Sequence, residues 1–202
     1  MISWLLNCFL FVIIGFLVGF IMNLFEQQKV NGDVEVERKF LLKYDLTMHD
    51  LNFPYIDIEQ VYLIDNNFRE VRVRKETFYL SDGLVADEIY SIMEKEGEGL
   101  SRKENYIYIE KEHYDIIVKN INKTPIIKRR FFDKNKNNNE YKNFYLDVFL
   151  NHNSPVDKMV EIEFHSEEDA KKYNSNLSFL GKEVTYDSNY KNKNIFKKIN
   201  GG

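Results

Sequence analysis

The chain has 202 residues, 28 Lys plus Arg against 32 Asp plus Glu, a net charge of −4 and one cysteine. That length fits one domain with an appendage, the acidic balance excludes a global nucleic-acid footprint, and the lone Cys8 excludes an intrachain disulfide framework. The four histidines (His49, His113, His152 and His165) are scattered without zinc spacing, so a metal here would take oxygen ligands, as Mg²⁺, Mn²⁺ and Ca²⁺ do.

Residues 2–25 contain no charged side chain. As a helix they would be roughly 36 Å long, enough for a bilayer core of about 30 Å. A Lys/Arg-rich leader and a small-residue cleavage site are both missing, so the reading is one transmembrane anchor rather than a signal peptide. Lys29, Arg38, Lys39 and Lys43 follow the apolar run and no base precedes it, which places the rest of a single-pass protein in the cytoplasm. Gly15 and Gly19 have the G-x-x-x-G spacing that would allow a homodimer through this helix. Residues 26–32 read as a linker.

Short runs alternating polar with β-branched or aromatic residues follow at 33–43, 58–64, 69–79, 86–95, 104–110, 125–132, 143–150 and 158–165. These predict about eight antiparallel strands. Helical patterns are few: a turn near 46–51, then 111–120, 166–174 after a cap-like Ser166, and 188–199. Residues 133–140 form a polar, low-complexity hairpin tip. Many strands and few helices predict a closed or nearly closed barrel over 33–200.

In Asp33-Val-Glu-Val-Glu-Arg-Lys-Phe, the side chains of Glu35, Glu37 and Lys39 share one strand face, opposite Val34 and Val36. Two carboxylates beside an ammonium can hold a divalent cation and touch the anion it carries. The pattern recurs. Arg72 and Arg74 alternate with Val71 and Val73, Lys128 and Arg130 lie two apart, Asp147 opposes Leu146 and Val148, and Glu161 and Glu163 oppose Val160, Ile162 and Phe164. A sandwich would leave these charges in water. A barrel wrapped by helices would turn them into its bore. Acids paired with acids and bases with bases favour the bore, because paired arginines suit phosphate oxygens and paired glutamates suit a hard cation.

These segments, in this order, resemble the CYTH domains of the triphosphate tunnel metalloenzymes. Glu35-Val-Glu-Arg-Lys39 matches E-x-E-x-K. Gln60-Val-Tyr-Leu63 and Val71-Arg-Val-Arg74 are similar to the Q-G-Y-L and R-x-R strands. Lys95 and Gly99-Leu-Ser-Arg-Lys-Glu104 resemble the next elements, followed by Lys128-Arg-Arg130, Leu146-Asp-Val-Phe149, Val160-Glu-Ile-Glu-Phe164 and Leu180-Gly-Lys-Glu-Val-Thr-Tyr-Asp187. The resemblance implies a mainly β, eight-stranded antiparallel tunnel with surrounding helices, holding a triphosphate and Mg²⁺ or Mn²⁺. It implies that Glu35, Glu37, Asp147, Glu161 and Glu163 face the metal. Lys39, Arg72, Arg74, Lys95, Lys128 and Arg130 would line the phosphate path. Arg102 would join them or pair structurally with Glu104. Tyr62 and Lys39 would serve catalysis, as in the family's inorganic tripolyphosphatases, or Tyr62 would only pack.

The sequence departs from the pattern where Val61 replaces the Gly of Q-G-Y-L and Met93 replaces a Thr. The activity implied is hydrolysis of the terminal phosphoanhydride of inorganic tripolyphosphate. Alternatives on the same fold are nucleoside triphosphate hydrolysis, adenylate cyclisation and a non-catalytic, membrane-anchored polyphosphate sensor.

Overall fold

A computed structural model describes residues 32–43, 54–66, 68–80, 82–132, 140–175 and 177–202. The expected transmembrane span, its Gly15/Gly19 pair, the linker up to residue 31 and the turn near 46–51 lie outside the described residues. Among those described, no helix is long and apolar enough to cross a membrane.

The eight predicted strands are β1 (Asp33–Leu42), β2 (Tyr55–Asp65), β3 (Arg69–Tyr79), β4 (Val85–Glu96), β5 (Ser101–Tyr108), β6 (Ile126–Phe132), β7 (Asn143–Phe149) and β8 (Lys158–Phe164). They pair antiparallel in the order β5-β4-β3-β2-β6-β7-β8-β1, and β5 also pairs with β1. That last ladder closes the sheet into a barrel. A ninth strand, β9 (Leu180–Glu183), was not expected from the sequence. Val36 faces Phe164 of β8 and Ser101 of β5, so those strands hold opposite edges of β1. Phe40 likewise faces both Val160 and Glu183. One edge of β1 is therefore shared end to end by β5 and β9.

Helices α1 (Lys111–Ile121), α2 (Glu167–Lys172) and α3 (Asn192–Ile199) lie close to their predicted ranges. Ser166 caps α2 by accepting the Asp169 N–H at 3.1 Å, and Asn122 ends α1 in the left-handed region at φ 49°. All three cover the outside of the barrel. Tyr114 and Ile117 of α1 and Ile195, Phe196 and Ile199 of α3 pack with Val61, Val71, Val73 and Ile92. Ala170 of α2 joins Val36, Phe144, Leu146, Val160 and Ile162. Each buried Val, Leu, Ile or Phe among them contributes about 1.5–3 kcal/mol.

With the apolar faces outward under helices, alternation sends the charged faces inward. Glu37, Lys39, Arg72, Arg74, Lys95, Lys128, Asp147 and Glu161 are all buried. The sandwich alternative is thereby excluded: side chains of these types are buried almost only when paired, and the bore is where they find partners.

Candidate functional site

Eleven of the thirteen predicted site residues line one cavity of about 230 Å³ inside the barrel: Glu35, Glu37, Lys39, Tyr62, Arg72, Arg74, Lys95, Arg102, Arg130, Glu161 and Glu163. Each is placed by the period-two rule on its strand. Lys128 and Asp147 do not reach the cavity wall. Both are fully buried and paired with each other, and Asp147 also accepts from Arg130 Nε and Nη2 at 2.7 and 2.8 Å. They form the layer on which Arg130 rests.

The wall residues are tied into pairs. Lys39 Nζ donates to Glu161 at 2.5 Å and stands 3.4 Å from Glu37. Arg102 Nη2 donates to Glu37 at 2.5 Å, so its partner is the signature glutamate rather than Glu104. Lys95 donates to Glu35, and Arg130 donates to Glu161. Arg72 Nη2 donates to Glu104 at 3.1 Å and approaches the Met93 sulfur at 3.7 Å. Arg74 reaches Gln60 and Glu76, both at 3.3 Å.

Crystal structures similar to this fold include that of the inorganic triphosphatase NE1496 and that of the hypothetical protein NE1496. Each is 28% identical to the chain with a TM-score of 0.52, over 80% of this chain and 93% and 97% of the respective chains. The chain shares their fold, here a closed antiparallel barrel of eight strands. No protein-family model and no curated protein matches the chain.

Several tunnel residues escaped the sequence reading. Glu70 and Glu76 line the cavity. They lie two residues either side of Arg72 and Arg74, so period two alone could have found them. Glu104, two after Arg102, is the same case. Tyr145 lines the wall with the Arg130 guanidinium over its ring at 4.4 Å. Thr185, Lys191, Asn192 and Lys193 also line the tunnel. They come from the segment after β9 and the start of α3, where no local pattern signals them. Lys193 bridges Asp65 and Glu70, both at 3.1 Å.

The wall carries eight carboxylates (Glu35, Glu37, Glu70, Glu76, Glu98, Glu104, Glu161, Glu163) and eight bases (Lys39, Arg72, Arg74, Lys95, Arg102, Arg130, Lys191, Lys193), so 8 − 8 leaves it formally neutral. Burial would raise the Glu104 carboxyl, but Lys95 and Arg72 bring it down to about 2. Burial opposes the charge on Lys39, yet Glu161 and Glu37 hold its pKa above the usual lysine range. Glu163 is the exception. Burial and the nearby Glu35 carboxylate raise it despite an Asn143 amide donating at 2.7 Å. Burial also raises the Tyr62 hydroxyl, although Arg72 is beside it; no well-aligned hydrogen bond closes between them, and the hydroxyl is buried without a partner.

Among the described residues, no three acidic, His or Cys side chains converge closely enough to hold an ion as they stand. The donor set nevertheless suits a hard cation. Glu37 and Glu163 are direct cross-strand partners on β1 and β8, a placement that is unfavourable for two like charges alone. Glu35, Glu37, Glu161 and Glu163 all present oxygens to one cavity, the ligand type that Mg²⁺ and Mn²⁺ take.

Proposed function

We propose that this chain is a metal-dependent phosphohydrolase that cleaves the terminal phosphoanhydride of inorganic tripolyphosphate inside the tunnel. The observation that carries this reading is the convergence of six strand-borne bases, Lys39, Arg72, Arg74, Lys95, Arg102 and Arg130, on one cavity whose wall is formally neutral. A bare polyanion entering such a wall meets as many carboxylates as bases. Balance favours a polyanion accompanied by divalent cation, with Glu35, Glu37, Glu161 and Glu163 as the residues that would hold it. When bound, such a cation supplies Lewis-acid polarisation of phosphoryl oxygens and a more acidic water.

The chain's own groups would do the rest. Water adds to the terminal phosphorus, the bridging P–O bond breaks, and diphosphate leaves with the bond's electrons. Arg72, Arg74 and Lys95 would fix the polyanion in line and offset charge developing on the leaving diphosphate. Lys39, charged because Glu161 and Glu37 hold it so, would act as a fixed cation rather than a base. The Tyr62 hydroxyl keeps its proton and has no partner, so it is free to donate to a phosphate oxygen. Asp147 and Lys128 would serve by orienting Arg130.

The nucleotide alternatives need a flat surface for a base. The Tyr145 ring is already covered by Arg130, which favours the inorganic substrate. The similarity to a protein described as an inorganic triphosphatase supports the same reading. We further propose that residues 2–25 anchor the protein by a single span with the tunnel in the cytoplasm, and that Gly15 and Gly19 allow pairing of two anchors.

The test is release of phosphate and diphosphate from tripolyphosphate, ATP and diphosphate, with Mg²⁺, Mn²⁺ or chelator. Metal-dependent release from tripolyphosphate, faster than from ATP and lost in Glu37→Gln, supports the proposal. Tight binding without turnover would replace it with the sensor, and cyclic nucleotide from ATP would replace it with the cyclase.

A further inference from the structure

The β3–β4 hairpin projects beyond the barrel in the direction taken by the chain toward its N-terminus. Lys95 of β4 faces Glu104 of β5, and Glu104 faces Asp33 of β1. Asp33 and Lys95 are therefore at one level, and β4 extends ten residues further to Val85. Because β1 runs antiparallel to β5, moving back from Asp33 leads toward Tyr106 and Tyr108. Gly32 already follows that course: a Cβ there would collide with the Glu104 backbone and the Asn105 side chain.

Ten strand residues cover about 34 Å, or roughly 25 Å along the axis at the usual barrel tilt. The seven residues 26–32 can reach at most about 25 Å. A bilayer holding residues 2–25 would lie within reach of the hairpin tip. At that tip Leu80, Leu84 and Val85 are 53%, 64% and 56% exposed. Tyr106 and Tyr108 of β5 are exposed too, but they face Met93 and Ser91 of β4 and so lie well behind the tip. Two leucines and a valine exposed together on a projecting tip form the kind of apolar patch that marks a membrane contact.

We infer that this end of the barrel rests on a lipid bilayer, with Leu80, Leu84 and Val85 inserted at the headgroup level. The inference rests on the anchoring reading above. The tip carries exposed Asp82 and Asp87 and no exposed base of its own, and Lys75 nearby is engaged by Glu88 at 2.8 Å. Zwitterionic phosphatidylcholine is the matching surface, since anionic lipid attracts Lys and Arg clusters. In this pose Gly97, Gly99 and Lys191, at the other end of the cavity, face the aqueous side.

The experiment uses the full chain in phosphatidylcholine vesicles, with Trp4→Phe removing the native tryptophan. Leu84→Trp reports on the tip, and Phe68→Trp, on the exposed β2–β3 turn at the opposite end, is the control. The tip variant should emit at shorter wavelength and be quenched at least twofold more by phosphatidylcholine brominated near the headgroup. If the protein fails to float with vesicles, anchoring itself is wrong and the docking falls with it. If it floats but both variants are quenched alike, only the docking is overturned. Shielding of the tip variant from both aqueous iodide and brominated lipid would mean that protein covers it, which also overturns the inference.

Discussion

Glu37 and Glu163 face one another across the β1–β8 ladder, while one step along, Lys39 faces Glu161 as its ion partner. The same two strands thus bring together a repelling pair and an attracting one. The repelling pair gains more from an added cation than the attracting one. Glu163→Gln should leave metal-free stability unchanged or raise it by up to about 1 kcal/mol. It should also cut metal-dependent turnover on the order of 100-fold. Thermal melts with and without Mn²⁺, alongside turnover, check both parts; undiminished turnover would remove Glu163 from the ligand set.

Asp147 separates support from chemistry. Asp147→Ala leaves the fully buried Lys128 without its carboxylate and takes away the double acceptor of Arg130. The cost should be about 3–5 kcal/mol in urea denaturation. Replacing the pair together, Lys128→Met with Asp147→Leu, should restore the part lost through Lys128 but not the part lost through Arg130. The melting shift caused by Mn²⁺ should survive in the double variant, and its loss would return Asp147 to the metal-facing set.

Tyr62→Phe removes a hydroxyl that has no hydrogen-bond partner in the protein. Stability should change by less than about 1 kcal/mol. A hydroxyl that meets the substrate only in the transition state would lower kcat by roughly 10-fold or more while leaving KM little altered. An unchanged kcat would make Tyr62 a packing residue, beside Phe196 at 5.5 Å between ring centroids.

Glu104 sets an acid limit on the fold. Its native pKa of about 2 lies below the ordinary 4.5, so between those values the unfolded chain binds more protons than the native one. The stabilisation is complete above about pH 4.5 and is lost as pH falls through 2, amounting to at most about 3 kcal/mol. Stability should therefore decline across that window, and Glu104→Gln should flatten the decline. An equal slope in the variant would assign the acid sensitivity to other carboxylates.

The eight strands and three helices were legible because alternation and capping are local signals. β9 was not: Leu180-Gly-Lys-Glu is four residues long and without alternation, and it is a strand only because the outer edge of β1 is vacated by β5 beyond Val36. The charged faces were legible, as was the inversion that sends them inward, since like paired with like makes little sense on a solvated face. Which charges reach the cavity was not. Lys128 and Asp147 have the same alternation as Arg130 and Glu161, yet they seal against each other beneath the wall. Depth within a barrel depends on register between strands distant in sequence, and Lys193 reaches the tunnel only through helix packing.

The closing of the barrel also has a consequence in time. Val36 pairs with Phe164, a separation of 164 − 36 = 128 residues. At about 5–20 residues per second, a ribosome needs roughly 6–26 s to make that stretch. One edge of the first strand can pair once β5 is made, but its other edge waits for β8. Until β8 is made, Glu37 and Lys39 have no tunnel to face and Glu161 does not yet exist. A chain interrupted just before β8 would hold seven finished strands and no closed tunnel.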